Sequence, residues 1–475
     1  MALQSSPSPS LPERLLWKSV PLWLVLAMAL LSLLMTVSFG WFAMRSAMSR
    51  DERPLAQAAV EVASFPTTAK AVFKEVASIL SGRTDYGRAQ AHPPDQSWSE
   101  FQPAKSTVDG VGEGLIMRRG PGTLAQGWRI IVGAFKDHGA IHHAALMLSP
   151  DLSIVHVWPL LEDGVQGVEA DPTRTLPHGF SVLTDGSVIY AFEAGKSLHR
   201  KDRCGRTIWA TAGKYHHSVT VDDTETTVWA LRHDHEGDHA ESEMIVQLAV
   251  QDGKVIKEIS LADIIAANPD IDILELRRDH QEDVRENARG DPGPWLTDPF
   301  HLNDVDPLPR SLAGAFPQFA PGDLLVSARN LNLLFVIDPR TLAVKWWRGG
   351  ATIRQHDPDW MADGRISAYD NRMARGYSEI VEIDPATLAK TVLVDGRGLD
   401  FYSRARGKVE AMPGGGWLIS SPGQGRIVEL APDGQIALEF YDVLDEKARA
   451  FGVISQAVFL PEGSIDIGAF QCREF

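Results

Sequence analysis

From about residue 127 onward the apolar residues fall in short runs rich in Val, Ile, Leu and Trp, each closed by an acidic, Gly- or Pro-containing turn. Runs punctuated in this way read as antiparallel strands joined by hairpins. The turns also repeat. Ile337-Asp338-Pro339-Arg340-Thr341-Leu342-Ala343 returns 46 positions later as Ile383-Asp384-Pro385-Ala386-Thr387-Leu388-Ala389, and QDGKVIKEI from Gln251 and PDGQIALEF from Pro432 are weaker relatives. Self-similarity with a period of about 40–45 residues is the mark of a β-propeller. Six units follow, at about 127–165, 177–212, 216–262, 301–350, 356–396 and 406–443. The last run, Val453 to Phe470, is placed to complete an early blade and close the ring, which removes free strand edges. The expected architecture is therefore all-β, a six-bladed β-propeller over 127–475.

The N-terminal region follows a different pattern. Val20 to Met44 contains no charged residue, and twenty-five apolar residues are enough to span a bilayer with some tilt. Phe39 to Met48 offers no convincing small-residue cleavage site, so the segment 20–44 reads as an uncleaved transmembrane signal anchor. It follows a Ser/Pro-rich disordered stub, 1–19, expected in the cytoplasm. Residues 45–126 read as a stalk or linker, helical in part where LAQAAVEVA and AKAVFKEVASIL show helical spacing on either side of Pro66. Basic residues flank the span on both sides, so charge alone does not orient it.

A net charge of −16 argues against recognition of nucleic acid through its phosphates. Cys204 and Cys472 are the only cysteines, and a bridge between them is possible in an oxidising compartment. Two insertions, 262–299 and Arg310 to Pro321, are candidates for a lid or, with the stalk, for contacts with protein partners.

His217 in KYHHSV, His301 in PFHLND and His356 in RQHDPDW each stand near the start of a unit. A propeller gathers such positions around one axis. His178 precedes Gly186 by the same eight residues that separate His356 from Gly364, which gives it the equivalent place. His216 and His217 are adjacent, and on a regular strand their side chains point to opposite faces. Asn303 falls two residues after His301, on the same face as that histidine. His138, His142 and His143 are further axial candidates. The run HDHEGDH, His233 to His239, has residue types that hold transition metals, but its polarity and Gly237 favour a solvated hairpin, and no metal or other cofactor is expected.

The runs FHLNDV, LLVSARNLNLLFVID, RQHDPDWMADGRISAYDN and SEIVEID, strongest from Phe300 to Asp384, resemble the bacterial arylsulfate sulfotransferase family, with the likeness extending over roughly 170 to 440. The resemblance implies a six-bladed propeller with its active site at the central channel. It also implies transfer of a sulfuryl group from an aryl sulfate to a phenol through a nucleophilic histidine. By motif the nucleophile matches His356, supporting histidines match His301 and the His216–His217 pair, with His217 preferred, and the arginine matches Arg329.

The residue types suit that chemistry on their own. Sulfuryl transfer moves an anionic group between oxygens, so positioning and charge stabilisation dominate. Neutral imidazole is a competent nucleophile near neutral pH, and Arg329 offers a planar fork to two sulfuryl oxygens. His217 and His301 are placed to protonate the departing phenolate, and Asn303, His216 and His178 are expected to bind or orient substrate. No Gly-rich phosphate loop is evident, which favours an aryl sulfate over a nucleotide sulfate as donor. The location that follows is the bacterial inner membrane, single-pass, with the propeller in the periplasm. The competing reading is a non-catalytic propeller acting as an anchored assembly or ligand-binding module, since fold does not guarantee function. A quinone-dependent dehydrogenase and a metal-dependent hydrolase fit the residue pattern less well.

Overall fold

The computed structural model describes residues 21–49, 55, 58–59, 62–63, 98–108, 110–137, 140–165, 176–193, 195–234, 239–271, 300–445, 450–465 and 472. Among them one helix, Leu22–Ser49, contains a 25-residue span, Leu22–Ser46, whose most apolar 18 residues have a mean hydropathy of 2.3, long and apolar enough to cross a membrane. The stub 1–19, most of the two stalk segments, His138, His235–Asp238 and the charged insertion beyond residue 271 lie outside the described residues.

The remaining unit is an all-β propeller. Its inner strands are β1 (Leu176–Val182), β2 (Tyr215–Val221), β3 (Leu302–Pro307), β4 (His356–Trp360), β5 (Lys408–Ala411) and β6 (Ile454–Pro461). The strands β1 to β5 each open a sheet of four consecutive antiparallel strands. The expected count of six blades is therefore corrected to five blades of consecutive strands. The unit at 127–165 supplies only Gly127–Asp137, Ala140–Leu148 and Ser153–Pro159 to a composite sheet, and the C-terminal β6 occupies its inner edge. The physical reason is closure: β6 packs between β5 and β1, so the two ends of the chain share one sheet and the ring is completed. Leu115–Arg119, which the sequence pattern assigns to the linker, pairs with Ile436–Asp445 and extends the fifth blade. Cys204 and Cys472 form a disulfide across 268 positions, tying the first blade to the C-terminal tail.

Alternation of side chains along each strand feeds two cores at once. In the third blade Leu324, Val326 and Ala328 pack with Trp229 and Leu231 of the second, whereas Leu325, Leu334 and Val336 join Trp360 and Ile366 of the fourth. Both faces are buried, so these strands read as continuous apolar runs. The repeated turn has one geometry in both copies. The Oδ1 atoms of Asp338 and Asp384 accept from the backbone N–H two residues on, at 2.9 and 2.8 Å, and Leu342 and Leu388 share a φ of 62°. The Arg310–Pro321 insertion is structural: Phe316 and Phe319 pack edge-on against Trp360, at 4.8 and 5.4 Å between ring centroids.

Four inner strands carry an irregularity at the same place. The register shifts between Pro177 and Phe180 in β1, His216 and Val219 in β2, Leu302 and Asp304 in β3, and His356 and Asp359 in β4. Backbone φ is positive close to each shift, at Gly179 (120°), His217 (59°), His301 (52°) and Asp357 (51°). A bulge bends its strand and re-aims a side chain. At Gly179 the close approach excludes a side chain, because a Cβ would stand 2.6 Å from the His217 carbonyl oxygen. At the three non-glycine positions the strain costs on the order of 1–3 kcal/mol each, and it is concentrated where the histidines meet.

Candidate functional site

The bulges turn imidazoles from four blades toward one another. The His217 ring lies 4.3 Å from His178, 4.8 Å from His301 and 6.3 Å from His356, centroid to centroid. His216 and His217 do not point to opposite faces as a regular strand requires. The positive φ at His217 brings both rings to one side, with their Nδ1 atoms 2.7 Å apart. His217 Nε2 stands 3.1 Å from His301 Nε2, so His216, His217 and His301 form a hydrogen-bonded chain. A neutral imidazole has one donor and one acceptor nitrogen, which gives such a chain a direction.

Arg329 follows the second strand of the third blade, and its backbone N–H donates to the His301 carbonyl at 3.0 Å. Together with Glu193, His217, His356, Arg404 and Arg406 it lines a cavity of about 130 Å³ at the end of the axis. That volume is well below the roughly 300–1,000 Å³ of pockets that enclose whole drug-sized ligands. It suits a small anionic group whose remainder projects outward. Arg406 is held by Glu193, with Nε and Nη2 at 2.8 and 2.7 Å from Oε2. Its own backbone N–H donates to His356 Nε2 at 3.2 Å.

Burial dominates the electrostatics. It drives the pKa values of His178, His217 and His356 well below the usual histidine value, assisted at His356 by the Arg329 charge and at His178 by Arg406. These rings are therefore neutral near pH 7, a state that leaves His356 nucleophilic and leaves the positive charge of the pocket to its arginines.

Beneath the imidazoles lies a second layer. Lys408 Nζ, from β5, contacts Asp304 Oδ2 at 3.0 Å and Asp357 Oδ1 at 2.5 Å, and the Val409 backbone N–H donates to Asp357 Oδ2 at 2.6 Å. Asp306 and Asp359 are pushed well above the ordinary carboxyl range by burial and by neighbouring carboxylates, and Asp357 rises to about 6, chiefly through burial.

Of the residues singled out from the sequence, His217, Arg329 and His356 line the cavity, while His301, His178 and His216 are not among its lining residues and contact the His217 ring. Asn303 is turned elsewhere: its Nδ2 donates to the Gln355 carbonyl at 2.7 Å, which holds the backbone one residue before His356. His143 packs against Phe192, with 5.3 Å between ring centroids, and is not among the cavity residues. Among the described residues no group of three or more His, Cys, Asp and Glu side chains is arranged to hold a metal ion.

The sequence pattern misses Glu193, Asn371, Arg404 and Arg406. Asn371 Oδ1 lies 2.6 Å from His356 Nδ1. One signal was available: Glu193, Arg329, Asn371 and Pro422 all stand where the second strand of a blade ends.

A family model described as Arylsulfotransferase (ASST) matches residues 179–442. No curated protein matches the chain. Among solved structures, a protein of unknown function from Bacteroides caccae is 11% identical and aligns over 71% of this chain and 100% of its own, with a TM-score of 0.44. Virginiamycin B lyase from Staphylococcus aureus is 11% identical over 60% of this chain and 84% of its own, with a TM-score of 0.31. TolB from Acinetobacter baumannii is 13% identical over 71% and 67%, with a TM-score of 0.36. Likeness at this level carries no argument about activity.

Proposed function

Because the chain belongs to the arylsulfotransferase (ASST) family, we propose that it moves a sulfuryl group from an aryl sulfate to a phenolic acceptor through a sulfohistidine on His356. The observation that carries this reading is the meeting of His356, His217 and Arg329 on one anion-sized cavity, with His301 hydrogen-bonded to His217.

The donor's sulfuryl oxygens lie against Arg329, whose guanidinium matches two of them and keeps its charge at any working pH. The neutral ring of His356 attacks sulfur, the S–O bond to the aryl group breaks, and the phenolate leaves with the electron pair. The imidazole chain of His216, His217 and His301 relays a proton from water to the departing oxygen, each ring passing one proton on as it takes one up, so that no imidazolate is formed. In the second half the acceptor phenol attacks sulfur, the S–N bond breaks, and its electrons return to His356. The acceptor's hydroxyl proton restores the one taken by the first phenol, so the cycle balances. A covalent intermediate divides one displacement into two easier ones.

The apolar helix and the disulfide support an arrangement in which the chain is anchored by Leu22–Ser46 in the bacterial inner membrane, with the propeller on the oxidising, periplasmic side. The stalk and the 262–299 insertion are then the segments left for contacts with partner proteins. Turnover of a chromogenic aryl sulfate by the full chain, with and without a phenol, tests the activity. Release of the chromophore that accelerates with acceptor, and sulfation of the acceptor, are expected. No release across a panel of aryl sulfates would favour a non-catalytic binding module instead.

A further inference from the structure

A histidine nucleophile has two nitrogens, and nothing in the ring itself selects between them. At His356 the surroundings do. Asn371 follows the second strand of the fourth blade, Ile366–Asp370, and is fully buried. Its Nδ2 donates to two backbone carbonyls, those of Ser403 at 3.0 Å and Arg406 at 2.5 Å. Only an amide NH₂ serves two acceptors, so reversing the side chain would set its oxygen against both carbonyls and take the amide donor from the Arg406 carbonyl, while the Ser403 carbonyl would keep Ser378 Oγ at 3.3 Å. The amide oxygen is thereby committed to His356 Nδ1, 2.6 Å away, and an oxygen acceptor at that distance requires the proton on Nδ1. In a neutral imidazole the lone pair then resides on Nε2. In the resting site that nitrogen accepts the Arg406 backbone N–H at 3.2 Å, a hydrogen bond that must break as Nε2 turns its lone pair on sulfur, and His356 and Arg406 both line the cavity.

We propose that Asn371 is the positioning residue of the site: it locks the Nδ1–H tautomer of His356 and so selects Nε2 as the nitrogen that takes the sulfuryl group. The same residue ties the nucleophile to the loop that carries Arg406, because one amide bonds both. Its neutrality matters as well. A carboxylate in its place would stabilise the imidazolium and hold His356 protonated to higher pH, withdrawing the nucleophile, whereas an amide orients the ring without adding charge. When Nε2 bonds to sulfur, the Nδ1–H becomes more acidic and its hydrogen bond to Asn371 strengthens, which favours the intermediate over the resting state.

The group-transfer half of this inference rests on the sulfotransferase reading, but the tautomer half does not, and the two are measured separately. In the full chain labelled with ¹⁵N-histidine, without substrate, His356, assigned by its loss in His356→Gln, is expected to show a protonated Nδ1 and an unprotonated Nε2. Protonation on Nε2 instead overturns the proposal. Asn371→Leu is expected to mix the tautomers and lower kcat on the order of 10²–10⁴-fold with little change in KM. Asn371→Asp keeps the acceptor, and is expected to retain the Nδ1–H form while moving the acidic limb of the pH–rate profile to higher pH, since the ring must lose its proton before it can attack. A variant Asn371→Leu with wild-type kcat, or an Asn371→Asp profile that does not move, contradicts the assignment. If the wild type shows the locked tautomer but transfers nothing, the sulfotransferase reading falls and the tautomer lock stands.

Discussion

Two layers on the propeller axis begin one residue apart. His356 and Asp357 are neighbours on β4, yet the first faces a cavity bordered by arginines and the second is sealed beneath it by Lys408. In the upper layer burial keeps His178, His217 and His356 neutral, and the cavity there has room for a small anionic group. The lower layer is filled, with Lys408 bridging carboxylates from two blades and the Val409 backbone bonded to Asp357. The bulge in β4 serves both, because it presents consecutive side chains to the axis where an ordinary strand would alternate them. Burial and charge are common to the two layers. An open volume bordered by the guanidinium groups of Arg329, Arg404 and Arg406 belongs to the upper one, and it marks that layer as the place for chemistry.

The largest separation between the layers is expected at His356. His356→Ala should lower kcat on the order of 10⁴–10⁶-fold, as removal of a covalent nucleophile does, while its denaturant midpoint stays closer to wild type than that of a Lys408 variant. Lys408→Met should act the other way, costing about 3–5 kcal/mol of stability in urea titrations because it leaves buried carboxylates without their cation. Adding Asp304→Asn to it should restore part of the loss, and a fully additive double variant would dissolve the bridge as an energetic unit.

Next in size is Arg329→Ala, expected to lower kcat/KM about 10²–10³-fold through lost stabilisation of developing charge, with Arg329→Lys recovering only part because a point charge lacks the planar fork. The smallest effect concerns a carboxyl that neither layer compensates. Asp442 is fully buried, neither of its oxygens has a hydrogen-bond partner among the described residues, and burial pushes it up to about 8. A carboxyl raised in the folded state binds more protons there than in the unfolded chain. Its contribution is therefore present below the unfolded value near 4 and is lost as pH rises through about 8. Asp442→Asn should flatten the decline of Tm between pH 5 and 8.5, and an unchanged slope would show that Asp442 does not titrate in that range.

Much of the ring was legible because the outer hairpin turns are local. Asp338 and Asp384 write the same capped turn into the sequence twice, and each blade from β1 to β5 is one contiguous stretch. The composite sheet is different, since its inner edge comes from the other end of the chain. The apolar run from Val453 hinted at that exchange, but no repeat placed it. At the site, His217, His301, Arg329 and His356 stood out through position in the repeats and family likeness. Asn371, Glu193 and Arg406 did not, because each acts through a partner on a distant segment: Arg406 contacts Glu193 from 213 positions away. The adjacent histidines were misread for a related reason, as a bulge overrides the alternation that a regular strand imposes. Asn303, expected on the face of His301, instead spends its amide on the Gln355 backbone, beside a bulge that breaks the alternation.

The central claim is that blades distant in sequence assemble one nucleophilic pocket, and intact-mass spectrometry of the full chain tests it most directly. Incubated with an aryl sulfate and no acceptor, the wild type should gain the mass of a single sulfuryl group, lose it when a phenol is added, and carry it on His356. Wild type that releases phenol without becoming labelled, or a His356→Ala variant labelled to the same extent, would contradict the account.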